Sequence, residues 1–573
     1  MTEPLNITTE RVDDIPLLLA HSDKMGVPEL LDAYFKPHGN WEGMSLGWTT
    51  AIWLTHILSE GDHRMNQVQG WAAHRVQTLC ICTGQEVSER GLRDDRLALV
   101  LDALSDEQKW QQFETALNRQ LIRVYDLKPK RVRVDSTTVS GYWTVTQEGL
   151  FQLGYSKDHR PDLPQLKVML SALDPLGLPV ATQIVSGERA DDRLYLPAIA
   201  QVSQSLNTHG LLYVGDCKMA ALDTRASLEA QQDYYLCPLA AKQMPEEVLD
   251  EYLQSVWAGE QALTPVSRER EAGQPEQMAE GYERRVTLSR EVAGRTISWT
   301  ERQLIVRSHK LAAAATQALH GRLAKAQAEL EGLNEHKQGK KRYADGAALQ
   351  QAAQTILKHH HVEGLVQVSI DEQGEERAVR AYGNRPAAMR VQRTVRLHTT
   401  VDNQAVARAV RRLGWRVYVT NHPTEGLSVE QAVLAYREEY LVEHGFGRLK
   451  GKPLSLSPMY VQSDQRATGL VRLLCIGLRV LTLLEFRVRQ RLADQQASLA
   501  GLYAGNPKRT TPRPTAEALL GAFQGLHLSI VTLGQQLHRH LTPLSALQQR
   551  ILSLLDFSSD LYDQLCAEFP KPP

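Results

Sequence analysis

Cysteine is scarce in this chain, with six in 573 residues at irregular spacing. That excludes a disulfide framework and fits a reducing compartment. Charge of one sign is missing too: Lys and Arg sum to 65, Asp and Glu to 66. A histone-like or polybasic binder is therefore not expected, though a local basic surface is not excluded. Long apolar runs are absent. The most apolar stretch, Gly469 to Phe486, is broken by Arg472, Arg479 and Glu485, so no membrane-spanning helix and no membrane partner is expected. The start, Met1 to Asp14, is polar and acidic, without the positive flank and apolar core of a signal peptide. No repeat recurs at a fixed period. What is there is ordinary globular composition, 42% apolar and 23% charged, enough for about three or four domains. The expectation is a soluble, cytoplasmic, multidomain protein.

Hydrophobic spacing divides the chain. Residues 1–127 read as a helical domain that could bind DNA, dimerise or equally be only a structural cap, with helices expected over Val27–Phe35, Leu46–Leu58 and Arg96–Leu121. The period then changes to two: in Arg131-Val132-Arg133-Val134-Asp135 the valines face one way and Asp135 the other. Leu166–Ala172 and Leu178–Val185 are further strands, joined by the turn Asp174-Pro175-Leu176-Gly177. A helix over Ala190–Leu206 precedes the apolar strand Leu211–Val214, which ends at Gly215-Asp216, and Asp233–Leu239 is a last strand. Residues 128–241 thus predict a mixed α/β core.

Residues 242–426 read as an inserted α+β domain. Strands are expected over Arg284–Arg290, Thr296–Val306, Leu365–Ile370 and Trp415–Thr420, with a long helix over Leu311–Glu335 and a basic break at Gly339-Lys340-Lys341-Arg342. Ser428 and Gln431 have capping-box spacing at the restart of helix. Residues 427–492 return to the core. Residues 493–573 are a linker, Asn506 to Pro514, and a helical module whose last helix is opened by Thr542-Pro543.

Three acids stand out. Asp135 is placed at the polar end of the first core strand, and Asp216 just beyond the carboxyl end of another, where open α/β sheets hold ligands. If the strands are neighbours, the carboxylates converge and suit a hard cation such as Mg²⁺; singly, each could equally cap or turn the chain. In the segment Tyr436 to Lys450, one helical stripe carries Tyr436, Tyr440, Glu443, Gly447 and Lys450. An acid and a base seven residues apart can address a metal and a phosphate side by side, although charged helical faces are often only solvated.

These motifs together resemble a family. Val134-Asp135-Ser136-Thr137, Gly215-Asp216-Cys217-Lys218-Met219 and the Tyr436–Lys450 segment are similar to bacterial insertion-sequence transposases of the DDE type. The branch is the one with a Tyr-Arg-Glu-Lys signature and an insertion domain between the second Asp and the Glu. Tyr436, Glu443 and Lys450 fall in its register, while Glu439 stands where the signature has arginine and Arg437 or Arg448 could substitute. Tyr155 to Asp162 resembles the segment before the second core strand in one subgroup.

The resemblance implies a ribonuclease H-like core and Asp135, Asp216 and Glu443 as catalytic ligands of two Mg²⁺ or Mn²⁺ ions. Water first releases a 3′-hydroxyl at the element's end, and that hydroxyl attacks target DNA. The implied partners are double-stranded DNA, as terminal inverted repeats and target, and a second copy of the chain in the DNA complex. The location would be the bacterial cytoplasm, on the nucleoid when DNA is bound. Tyr436, Arg437, Arg448, Lys450 and Lys452 are the expected DNA contacts. From Arg437 to Arg513 thirteen Lys/Arg face six Asp/Glu, which strengthens that expectation. A decayed DNA-binding derivative, or a nuclease that does not join strands, are the alternatives.

Other motifs are set aside. Gly445-Phe446-Gly447 follows a helix, not the strand a phosphate loop needs, and His159-Arg160-Pro161-Asp162-Leu163 lacks the companions of a kinase loop. Cys80-Ile81-Cys82 has no second cysteine pair, and His359-His360-His361 could bind zinc but reads rather as an exposed helix end. Lys508, Arg509 and Arg513 could track a DNA groove or simply solvate the linker.

Overall fold

The structure, a computed structural model, describes residues 5–37, 39, 41–269, 275–335, 343, 345–379, 388–533 and 536–567. Its contacts define two units. One comprises Met1–Cys237, Leu288–Trp299 and Ala435–Pro573, the other Pro238–Thr287 and Thr300–Leu434.

The first unit opens with strand β1 (Leu5–Arg11), which no helical pattern anticipates; it pairs antiparallel with His527–Leu533, so both ends of the chain share one sheet. Helices at Val27–Tyr34 and Leu46–Glu60 lie where the spacing puts them. The single helix expected over Arg96–Leu121 is two, Asp94–Leu104 and Glu107–Val124. The break comes from Asp106, whose carboxylate accepts the Lys109 backbone N–H at 3.0 Å and caps a new helix start.

The core strands are β2 (Arg131–Ser140), β3 (Gln165–Leu173), β4 (Leu178–Ser186), β5 (Leu212–Gly215) and β6 (Tyr234–Pro238), in the order β4-β3-β2-β5-β6. The first three pair antiparallel, then β2–β5 and β5–β6 are parallel. The helix Tyr195–Leu206 lies in the β4-to-β5 crossover. β3 and β5 are buried along their whole lengths, as continuous apolar runs require. One expectation is corrected: Asp135 does not end its strand, because β2 continues to Ser140 on its antiparallel β3 side; only the parallel ladder with β5 stops at Val134.

The helix Asp464–Asp494 is long and apolar enough to cross a membrane by composition, but 94% of its most apolar window is buried inside the protein. Its charges have protein partners. Arg479 is fully buried, pairs with Glu114 and donates to the Pro179 carbonyl at 3.0 Å; Arg472 pairs with Glu107 and donates to the Leu104 carbonyl at 2.8 Å. The C-terminal module is corrected from helical to mixed: strands His527–Leu533 and Gln536–Leu541 precede the helix Ala546–Leu554, and a short helix Asp560–Asp563 follows. The helix Ala546–Leu554 is started by a Ser545–Gln548 capping box rather than by Thr542-Pro543.

Strands β7 (Thr264–Glu269), β8 (Pro275–Val292), β9 (Arg295–Ser308) and β12 (Trp415–Thr420) follow the order β12-β9-β8-β7. They belong to the second unit except for Leu288–Trp299, the end of β8 and the start of β9, which counts with the first. Between them β10 (Val366–Val379) and β11 (Ala388–Val401) form a two-stranded ribbon. Its core is shared with the helices His309–Gly332 and Gly346–His359, through Leu319, Leu323, Leu349, Leu357, Val366 and Leu397. The expected strands fall on β8, β9, β10 and β12, whereas β7, β11 and the helices Glu246–Trp257, Gly346–His359 and Asn403–Arg412 had no assignment. The basic break at 339–342 lies outside the described residues. The Ser428–Gln431 capping box is formed, at 2.9 and 3.1 Å.

Candidate active site

Alternation along β2 puts Arg131, Arg133 and Asp135 on one face. The two arginines hold Asp174 at 2.9 Å each, and both approach Glu438, at 3.4 and 3.5 Å. Arg133 also donates to the Ala435 carbonyl. The strand therefore fixes the turn at Glu438-Glu439, between the helices Val429–Arg437 and Tyr440–Lys450.

Next to Asp135 stands Asp216. Parallel pairing of β2 with β5 runs to Val134 opposite Gly215, so one further residue on each chain brings the two aspartates side by side. Neighbouring strands lie roughly 4.8 Å apart, and the two charges feel each other. Burial raises the Asp135 pKa first; Lys157 opposes this, and the Asp216 charge adds to the rise. Asp216 is held by the Tyr195 hydroxyl, which donates to Oδ1 at 2.6 Å, and by the Lys218 backbone N–H at 2.8 Å. Gly215 makes that approach feasible: a Cβ there would stand 3.0 Å from the Tyr195 ring and 2.8 Å from the Met219 sulfur.

The Lys157 ammonium donates to Asp135 Oδ1 at 3.2 Å and to the Ser136 carbonyl at 2.6 Å, and lies 3.9 Å from Asp191. Its neighbour Asp158 accepts from Lys450 Nζ at 2.7 Å. Neither Lys157 nor Tyr195 stands out in the sequence. Lys157 belongs to the Tyr155–Asp162 segment, but nothing in its spacing says which strand the loop will cross.

The Tyr436–Lys450 segment is not one stripe. The turn at Glu438-Glu439 separates Tyr436, which is buried, from Tyr440, which is 51% exposed. Beyond it the helix passes Gly445 and Gly447 unbroken to Lys450, so Glu443, Gly447 and Lys450 do share a face. Glu443 is exposed, whereas Glu439 lines a narrow cleft with Asp135, Val134, Gly215 and Tyr436. Burial raises the Glu439 pKa, with Asp135, Glu443 and Asp216 adding to the rise in that order. Among the described residues no group of three or more His, Cys, Asp or Glu side chains stands close enough to hold a metal ion. Asp135 and Asp216 are neighbours by the β2–β5 register, but Glu443 does not complete a three-carboxylate cluster with them here. The donors that do meet are all carboxylate oxygens, the set that fits a hard cation such as Mg²⁺ or Mn²⁺ and not a soft one.

Of the expected DNA contacts, Lys452 is exposed and Arg437 half-buried. Arg448 is corrected to an internal role. It is only 5% exposed and pairs with Glu485 and, at 2.7 Å, with Glu517, so its charge is already matched inside the fold.

Among family models, that of the Transposase DDE domain matches residues 126–478, a span that includes Asp135, Asp216, Glu443 and Lys450. No curated protein matches the chain. Six chains of solved structures do. One is the cryo-EM structure of the piggyBac transposase synaptic complex with hairpin DNA, at 8% identity and a TM-score of 0.33, covering 99% of this chain and 89% of that one.

Proposed function

The chain belongs to the transposase DDE domain family, and from that premise we propose that it is the DNA transposase of a bacterial insertion sequence. It would cut at the element's ends and join them to target DNA. The observation that carries the site is the β2–β5 register, which sets Asp135 beside Asp216 at the end of a parallel ladder. We read these two, with Glu443, as the acids that would hold Mg²⁺ or Mn²⁺, and the second unit as the insertion domain. When bound, the ions supply Lewis acidity at the scissile phosphate. The protein's own part is to orient. Tyr195 and the Lys218 N–H fix one oxygen of Asp216, Arg133 anchors the turn that carries Glu439, and Lys450 and Lys452 offer charge to the adjoining backbone. Tyr436 lines the cleft from the preceding helix, with Arg437 next to it in sequence, and two copies of the chain would serve two ends in the cytoplasm.

The third ligand has a rival. Glu439 lines the cleft with Asp135 and is coupled to both aspartates, whereas Glu443 is exposed. Cleavage of a duplex carrying the inverted repeats that flank the gene, with Mg²⁺, tests the proposal. Asp135→Ala and Asp216→Ala should each abolish cleavage while leaving duplex affinity within about twofold, because affinity comes mainly from phosphate contacts elsewhere. Glu443→Ala should behave likewise. Full cleavage by Glu443→Ala together with loss in Glu439→Gln would transfer the role to Glu439. Undiminished cleavage by Asp135→Ala would end the reading.

A further inference from the structure

Lys157 and Asp158 are consecutive, carry opposite charges, and pair with two different residues of the site. Lys157 stands on Asp135 at 3.2 Å, and Asp158 on Lys450 at 2.7 Å. We propose that this Lys-Asp pair holds the site in the DNA-free protein, Lys157 at Asp135 where a divalent cation would sit and Asp158 at Lys450 where a DNA phosphate would. The inference rests on the reading of Asp135 as a cation ligand and of Lys450 as a phosphate contact.

Three observations support an exchangeable pair of contacts rather than a fixed brace. Both ion pairs keep some solvent exposure, at 31% and 21% for Lys157–Asp135 and 23% and 32% for Lys450–Asp158, so ligands arriving from solvent can reach them. Lys157 has a second partner within reach, Asp191 at 3.9 Å, itself anchored by Lys167 at 2.7 Å. An ammonium displaced from Asp135 therefore keeps a carboxylate beside it. The loop's backbone is held independently of those charges, since the Lys157 N–H donates to Thr138 Oγ1 at 3.0 Å and the Asp158 N–H to Ser156 Oγ at 3.2 Å. The side chains can thus change partners without unravelling the loop. Lys157 and Asp158 are positioning residues in this account: they set where Asp135 and Lys450 stand before ligands arrive, and ligand binding must displace them.

The test uses the full chain without DNA for the cation and without divalent metal for DNA. Calorimetric titration with Mn²⁺ should give about tenfold tighter binding for Lys157→Met than for wild type, because the competing ammonium is gone, while Lys157→Arg stays near wild type. A merely structural lysine would instead leave Mn²⁺ affinity unchanged or weakened on removal, and either result overturns the inference. Asp135→Ala separates the two claims. If it binds Mn²⁺ as wild type does, Asp135 is no cation ligand, and the site reading falls with the inference. If it loses Mn²⁺ and Lys157→Met is unchanged, the inference alone falls. For the other half, Asp158→Asn in EDTA should bind a duplex about threefold more tightly with its salt slope near wild type, since the phosphate displaces Asp158 from Lys450 in wild type too. That gain should vanish in Lys450→Ala/Asp158→Asn. Unchanged duplex affinity in Asp158→Asn, in protein melting like wild type, would show that Asp158 does not compete with phosphate for Lys450.

Discussion

One oxygen of Asp216 accepts two hydrogen bonds, from the Tyr195 hydroxyl and from the Lys218 backbone N–H, so its rotamer is set before any ligand arrives. Tyr195 is buried, and its pKa lies well above the ordinary tyrosine value, first from burial and then from the charges of Asp216 and Asp135. The phenol therefore stays a donor at any working pH. Groups that orient a metal-binding carboxylate typically matter by about 10–100-fold in metal affinity. Tyr195→Phe should accordingly weaken Mn²⁺ binding by about tenfold with little change in melting temperature, since the ring still fills its space against Gly215. Mn²⁺ affinity equal to wild type would reduce that hydrogen bond to packing. A second buried acid makes a pH prediction. Burial raises Asp14 from 3.8 to about 6, opposed by the Ser59 hydroxyl donating to it at 2.6 Å. The folded state thus holds a proton that the unfolded chain gives up between about pH 4 and 6, and stability falls as pH rises through that window. The shift corresponds to about 3 kcal/mol once Asp14 is ionised. Asp14→Asn keeps an oxygen for Ser59 and removes the charge. Its urea midpoint should exceed wild type at pH 7 and converge with it near pH 4.

The helix Tyr440–Lys450 carries two glycines in its interior, and they differ. A Cβ at Gly445 would touch Leu478 and Leu170 at 3.6 and 3.8 Å, while a Cβ at Gly447 would meet nothing within 4 Å. Helix propensity alone then governs position 447, and Gly447→Ala should stabilise the protein by about 0.5–1 kcal/mol, read from urea unfolding. A loss instead would mean that the open face at 447 is closed by a partner. This helix also marks how far sequence reasoning reaches. Period-two alternation locates β2, and a buried apolar run locates β5, because both signals are local. Their pairing, which sets Asp135 beside Asp216, is a conditional inference from the crossover length. The turn at Glu438-Glu439 is invisible in the sequence, since nothing local breaks the helical pattern there; the turn is held by Arg131 and Arg133 from a strand some 300 residues earlier in the chain. Lys157 and Tyr195 escape notice for the same reason. β1, exposed at every residue but Glu10, escapes it because its pairing partner is a strand more than 500 residues away along the chain.

Across the whole molecule, the local excess of positive charge is largely internal. Of the thirteen Lys and Arg between Arg437 and Arg513, Arg448, Lys450, Arg466, Arg472, Arg479, Arg487, Arg489 and Arg491 are in ion pairs. Their acids include Asp102, Glu107, Glu114 and Asp556, from the helical regions near either end of the chain. A sequence count could not tell these from free cations, because most of the partners lie far away along the chain. The distinction predicts opposite behaviour for two residues four apart. Arg448 is buried between Glu485 and Glu517, so Arg448→Met should destabilise the protein by about 3–5 kcal/mol by stranding two carboxylates. In whatever fraction stays folded, the salt dependence of DNA binding should keep its wild-type slope. Lys452 is exposed, and Lys452→Ala should leave the melting temperature unchanged while lowering that slope by about one unit, as when one fewer phosphate is neutralised. Both are read from the same pair of measurements, thermal melting and duplex binding from about 50 to 200 mM salt. A reduced slope in Arg448→Met would mean that Arg448 leaves its carboxylates for the phosphate when DNA binds.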